Sequence, residues 1–109
     1  MALEDFVYVY GVCHCPATEV TTPLGLEQEI QIICVDQIAA IVEYGIDLEA
    51  LQADDQRLLN AVLSHDRVVC DLFQQFTLLP IRFGTQLAST EKLREYISNE
   101  YQTYQEKYS

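Results

Sequence analysis

A few places in the chain carry side chains that could do chemistry. Cys13-His14-Cys15 sets two thiols and an imidazole side by side, the ligand types that zinc takes. His65 and Cys70 place an imidazole and a thiol five residues apart, the pair that a thiolate nucleophile and its base would need. Arg82 stands in an otherwise apolar stretch, Phe76-Thr77-Leu78-Leu79-Pro80-Ile81-Arg82-Phe83-Gly84-Thr85. Its guanidinium is a rigid fork of donors suited to a carboxylate or to backbone carbonyls.

Spacing decides against most of this chemistry. Zinc ligands come in C-x2-4-C pairs, and one tight cluster does not supply four ligands in a tetrahedral array. On a strand Cys13 and Cys15 share a face, and two buried or half-buried thiols at a strand end is the plainer reading. On a helix His65 and Cys70 fall roughly 140° apart, out of direct contact. Asp54-Asp55 reads as helix capping. The glycines at 11, 25, 45 and 84 never cluster into a phosphate-cradling loop, and no serine sits in a nucleophile elbow. Neither catalysis, a cofactor nor a bound metal is expected.

The elements that must position these residues follow from pattern. Phe6-Val7-Tyr8-Val9-Tyr10-Gly11-Val12 is β-branched and aromatic, a strand apolar on both faces. It is either central and covered on two sides, or covered on one side with tyrosines shielding the other. A turn-rich loop spans Pro16 to Pro23, with Thr18, Thr21 and Thr22 in it. Ile30–Val35 and Ile38–Val42 read as a hairpin turning at Asp36-Gln37, with a short helix as the alternative for the second segment. After an acidic linker from Asp47 to Asp54, a helix runs from Asp55 to Gln75. Its apolar stripe is Leu58, Val62, His65, Val69, Leu72 and Phe76, widened by Leu59, Leu63 and Phe73. A lone histidine on that stripe is a hydrogen-bonded core or rim residue.

Phe76 to Phe83 is too short for a buried helix, and Pro80 would break one, so a strand is expected with Pro80 at its start, at a bulge or on an edge. Gly84 lets the chain turn out of the sheet. Arg82 points away from Ile81 and Phe83, either to solvent or as a partly buried fork. Ser89 or Thr90 then caps a last helix striped with Leu93, Ile97, Tyr101, Tyr104 and Tyr108, with Tyr96 beside it. The sum is an α+β sandwich with a mostly antiparallel sheet and helices on one face. That is close to a ferredoxin-like fold whose first crossover helix is reduced to a loop.

Composition narrows the partners. The 109 residues suit one domain, and half of them are hydrophobic, enough for a core. A net charge of −11 repels nucleic acid and anionic membranes, and no apolar run reaches bilayer length. The N-terminus, Met1-Ala2-Leu3-Glu4-Asp5, is acidic where an export signal is basic. The protein is therefore expected in the cytoplasm, with Cys13, Cys15, Cys34 and Cys70 as reduced thiols.

Leu79-Pro80-Ile81-Arg82-Phe83-Gly84-Thr85 resembles the LPxRFGT hallmark of the gas vesicle protein GvpF/GvpL family. Tyr8-Val9-Tyr10-Gly11-Val12 is similar to its YxYG first strand, Ile38-Ala39-Ala40-Ile41-Val42 to its LAAIV segment, and Leu63–Val69 to its HxxVL helix. The four motifs span nearly the whole chain, as the family's N-terminal domain; members usually continue into a second domain that these residues do not include.

The resemblance implies a non-enzymatic accessory protein for building gas vesicles, the protein-shelled buoyancy organelles. Its implied partners are the shell protein GvpA and other gas vesicle proteins, met through a sheet face or by strand addition at a sheet edge. Arg82, Phe83, Thr85, Tyr101 and Tyr104 are the residues expected at a partner, although the first role expected of Arg82 is structural, locking the sheet to an acidic or carbonyl group. Tyr10, Gly11, His65, Pro80 and Gly84 are expected to be structural, with His65 hydrogen-bonded to the signature strand. The rival class is a small ferredoxin-like ligand-binding or enzymatic domain with a pocket between the sheet and the C-terminal helix.

Overall fold

The computed structural model describes residues 6–16 and 19–108, with the side chains of 107 and 108 left out. The acidic stretch Met1-Ala2-Leu3-Glu4-Asp5, Thr18 and the ring of Tyr108 lie outside the described residues. The elements are β1 (Val7–His14), β2 (Gln31–Val35), β3 (Ile38–Tyr44), α1 (Leu48–Gln52), α2 (Asp55–Phe73), β4 (Leu79–Pro80), β5 (Gln86–Leu87) and α3 (Thr90–Tyr108). The sheet runs β2-β3-β1-β4 with every pair antiparallel, and β5 adds to the same side of β1. This is the ferredoxin-like α+β arrangement, with the β1–β2 crossover a loop.

β2 and β3 form the hairpin: Val35 faces Ile38 across a two-residue turn. No glycine is present there, and Asp36 takes the left-handed backbone itself, at φ 56°, which a short polar side chain tolerates better than most. The apolarity of both faces of β1 and β3 has a direct cause: each face is covered. Glu43, opposite Tyr8, shares their face with Tyr10, and there α2 presents His65 to the two tyrosine rings. Ile38, opposite His14, lies on the other face, where the Tyr104 ring of α3 packs edge-on against His14 at 4.7 Å. The crossover loop and α2 form one layer. The C-terminal helix covers the opposite face with Leu93, Ile97 and Tyr104 buried, so the one-sided helix layer expected from sequence describes the crossovers and not α3.

Caps sit where short polar side chains allow them. Asp54 accepts from the Gln56 and Arg57 amides to start α2, and Ser89 accepts from the Lys92 amide to start α3. The expected acidic linker is partly helical, since Asp47 caps the five-residue α1. The expected stripe of α2 is rotated: Ala61, His65, Val68 and Leu72 are buried, while Leu59, Leu63 and Phe73 face solvent. Small Ala61 permits close approach to the layer beneath, and a count of large apolar residues overlooks it.

The signature stretch is a broken strand. Only Leu79–Pro80 and Gln86–Leu87 pair with β1, and the chain leaves the sheet between them. Pro80 sits on the sheet's outer strand, where its missing N–H costs no ladder bond. Gly84 turns the chain back at φ 93°, a conformation that a Cβ would strain.

The cysteines depart from expectation. Cys15 and Cys34 are joined in a disulfide; Cys13 is buried and free, and Cys70 is exposed and free. The sheet register carries the end of β1 to the β2–β3 hairpin, where the Cys15 amide donates to the Gln37 carbonyl at 2.9 Å. The two Cα atoms stand 5.7 Å apart, within bridging range. With Cys15 in that bond, Cys13-His14-Cys15 no longer offers two thiolates. Burial pushes the Cys13 thiol up to about 11. The bridge spans a sequence separation of 19 residues, and a loop of that size is worth about 3 kcal/mol to the folded state. Adding dithiothreitol, or substituting Cys34→Ser, should lower the unfolding free energy by about that amount in urea titrations. An unchanged midpoint would count against the bridge.

Candidate functional site

The polar heart of the molecule is a residue that sequence reasoning passed over. Glu43 ends the apolar β3 run and is wholly buried. An ionised carboxylate there is tolerable only if its oxygens are filled with donors. They are: Leu26 N–H donates to Oε1 at 2.7 Å, and Glu27 and Gln28 N–H donate to Oε2 at 2.8 and 2.6 Å. The Tyr10 hydroxyl also donates to Oε1. Three successive amides of the crossover loop thus form an anion-binding nest around a side chain from β3. Gly25 makes room for it, since a Cβ at that position would overlap Glu43 Oε1. A helix in this crossover would spend its amides on its own carbonyls; the loop leaves them free for Glu43.

Beside this nest lies a second buried chain. His65 is 4% exposed, and its ring stacks on Tyr10 with centroids 5.2 Å apart. Its Nε2 is 2.9 Å from the Ile81 carbonyl, which only accepts, so Nε2 carries the proton and donates. Nδ1 is then the acceptor, taking the Tyr8 hydroxyl proton at 2.7 Å, and the Tyr8 oxygen accepts from Gly84 N–H at 3.2 Å. Both ends of this relay, Ile81 and Gly84, belong to the excursion between β4 and β5. Ile81 N–H donates to the Tyr10 carbonyl, Val9 N–H donates to the Thr85 carbonyl, and Thr85 Oγ1 donates to the Arg82 carbonyl. The loop is tied down on every side but one.

That side is Arg82. Phe83 tucks its ring against Tyr8 and His65, with centroids 6.1 and 5.8 Å away. Arg82 is exposed, and among the described residues it has no ion pair and no side-chain hydrogen bond, so it does not lock the sheet as expected. Its neighbours Pro80, Phe83 and Val69 of α2 wall an open groove of about 400 Å³. Of the residues expected at a partner, Arg82, Phe83 and Thr85 come together here, with Phe83 and Thr85 holding the loop and Arg82 presented by it. Tyr101 and Tyr104 are elsewhere, on α3. Tyr104 is buried with its hydroxyl on the Thr77 carbonyl at 3.3 Å, and Tyr101 meets Gln37 at 3.5 Å. Gly11 faces Pro80 across the β1–β4 pair, where Leu78 packs over it.

Burial keeps the hydroxyls of Tyr8 and Tyr10 protonated well above the ordinary tyrosine range, with Glu43 reinforcing the effect at Tyr10. Burial pushes His65 below its ordinary 6.5, against the pull of the Ile81 bond and of Asp66. The network is therefore neutral at His65 and hydroxylic at both tyrosines, a set for holding shape rather than for moving protons.

A family model described as gas vesicle synthesis protein GvpL/GvpF matches residues 6–108. Neither a curated protein nor a solved structure matches the chain.

Two outcomes follow from this geometry. Glu43→Gln brings an amide N–H₂ against backbone N–H donors and should cost about 2–4 kcal/mol by urea denaturation; a loss under 1 kcal/mol would mean that the nest is dispensable. For His65, the unfolded ring takes a proton below pH 6.5 while the folded ring resists it. Its stabilising share is therefore complete above that pH and is lost as pH falls below it. The stability difference between wild type and His65→Gln should shrink between pH 7.5 and pH 5, and a constant difference would contradict the assignment.

Proposed function

The chain belongs to the gas vesicle synthesis protein GvpL/GvpF family, and from that membership we propose that it works without catalysis, as an accessory factor binding the shell protein GvpA while vesicles form. Its place of action on this reading is the cytoplasm and the growing vesicle. The observation that carries it is the presentation of Arg82. In a chain of net charge −11 with only six Lys and Arg, this guanidinium is left unpaired on a loop that the buried relay immobilises. With the loop backbone ordered before binding, only the side chain's own freedom is lost on binding, and the fork can take a carboxylate or two backbone carbonyls. The apolar groove beside it suits a sticky subunit before polymerisation.

The fold narrows the route by which such a subunit docks. Both faces of β1 and β3 are covered, so a sheet face is not open to a partner. The outer edge of β2 pairs with nothing among the described residues, and strand addition there remains compatible with the reading. A ligand-binding alternative has one feature in its favour, a cavity of about 530 Å³ between the β2–β3 turn and α3. Tyr101 and Gln37 there bond to each other, and Gln105 to Tyr101, rather than converging on the space, so this reading stands second. No described helix is long and apolar enough to cross a membrane.

The test is a co-expression pull-down of the chain with GvpA, beside Arg82→Ala checked for fold by circular dichroism. Wild type should retain GvpA, and the variant should lose about tenfold in affinity, the value of one charged hydrogen-bonding fork. A wild type that retains no GvpA, or a variant that retains all of it, would refute the proposal.

A further inference from the structure

The face of α2 turned away from the sheet is more apolar than a solvent face needs to be. The exposed large apolar side chains among the described residues are Leu24, Leu59, Leu63 and Phe73, between 47% and 65% exposed. Three sit on α2, and the fourth is tied to it, since the Arg67 guanidinium donates to the Leu24 carbonyl at 3.2 Å. Scattered apolar residues are ordinary on a surface; a cluster on one helix marks a place of contact.

Spacing says what kind of contact. Leu59, Leu63, Asp66, Cys70 and Phe73 recur at steps of four, three, four and three, and all five are exposed. They fall within roughly 80° of the helix circumference, the straight seam of a helix that pairs with another helix. The half-buried Val62 and Val69 join this seam to the buried stripe. At its centre is Asp66, which has no ion pair among the described residues. A lone polar residue in an apolar seam sets register and rejects wrong partners.

Charge then selects the occupant. The seam is symmetric about Asp66, so two copies paired in either direction would set carboxylate against carboxylate. The whole-chain charge of −11 opposes self-association further. We propose that the outer face of α2 docks an amphipathic helix of another protein, one whose apolar seam is interrupted by a lysine or arginine that meets Asp66. This surface does not depend on the Arg82 reading, because the docked helix need not come from the shell protein.

The test uses two labelled peptides, each roughly three heptads long with a leucine seam. They differ only in a central Lys or Glu and are titrated with the full chain by fluorescence anisotropy. The Lys peptide should bind at least tenfold tighter than the Glu peptide. Leu63→Glu, at an exposed position that leaves the core intact, should weaken it at least tenfold. Asp66→Lys should reverse the preference, and Arg82→Ala should leave binding unchanged. Absence of binding, or equal binding of both peptides, would overturn the proposal. So would a concentration-dependent dimer in sedimentation that Leu63→Glu abolishes, since the seam would then belong to a second copy.

Discussion

The structure depends on one buried carboxylate. Glu43 sits near the end of a strand whose other residues are apolar, and its oxygens are accommodated there because four donors surround them. Those donors come from two separate parts of the chain, the strand β1 and the crossover loop at residues 26–28. A buried charge with full hydrogen bonding fixes register more strictly than apolar contact does, because a slip of one residue would strand it. The loop that replaces a crossover helix thus acquires a defined shape without regular secondary structure. Tyr10 carries the constraint onward, since the same side chain that donates to Glu43 is the platform on which His65 stacks.

From His65 the order reaches the surface. The relay from Gly84 through Tyr8 and His65 to Ile81 begins and ends in one short segment, so each bond holds the geometry of the others. A segment with only two short paired stretches would otherwise be free to move. Its rigidity is borrowed from the core, and what it displays is a cation in an acidic protein. The molecule is built from the inside outward: carboxylate, aromatic stack, imidazole, loop, guanidinium.

Much of this was legible in the residues. The alternating apolar runs, the Asp-Gln turn, the caps and the prolines placed the strands and helices and the ferredoxin-like order. Family motifs pointed to the loop at Arg82. What escaped depended on pairings distant in sequence. Glu43 lies just past the strand expected over Ile38–Val42, although alternation places it on the face of Ala39 and Ile41, and two buried faces imply a buried acid. The Cys15–Cys34 bridge required the three-strand register, which no local spacing encodes. The buried side of α2 is set by Ala61 and Val68 beside His65 and Leu72, while the larger Leu59, Leu63 and Phe73 face solvent, which a count of large apolar residues does not show. The C-terminal helix was placed with the others because a sequence shows that a helix is amphipathic, and not which of two apolar sheet faces it covers.

The position of β1 has a consequence for synthesis. It is made before the other described strands, yet Val7 finds its partner on one side at Tyr44 and on the other only at Leu87. At typical translation rates of about 5–20 residues per second, that second neighbour arrives roughly 4–16 seconds later. For that interval a strand that ends up buried from Val7 to Cys13 has an open edge. The early chain holds few means of covering it. The β4–β5 segment alone closes that edge, so the same stretch of chain that carries Arg82 also completes the pairing of β1.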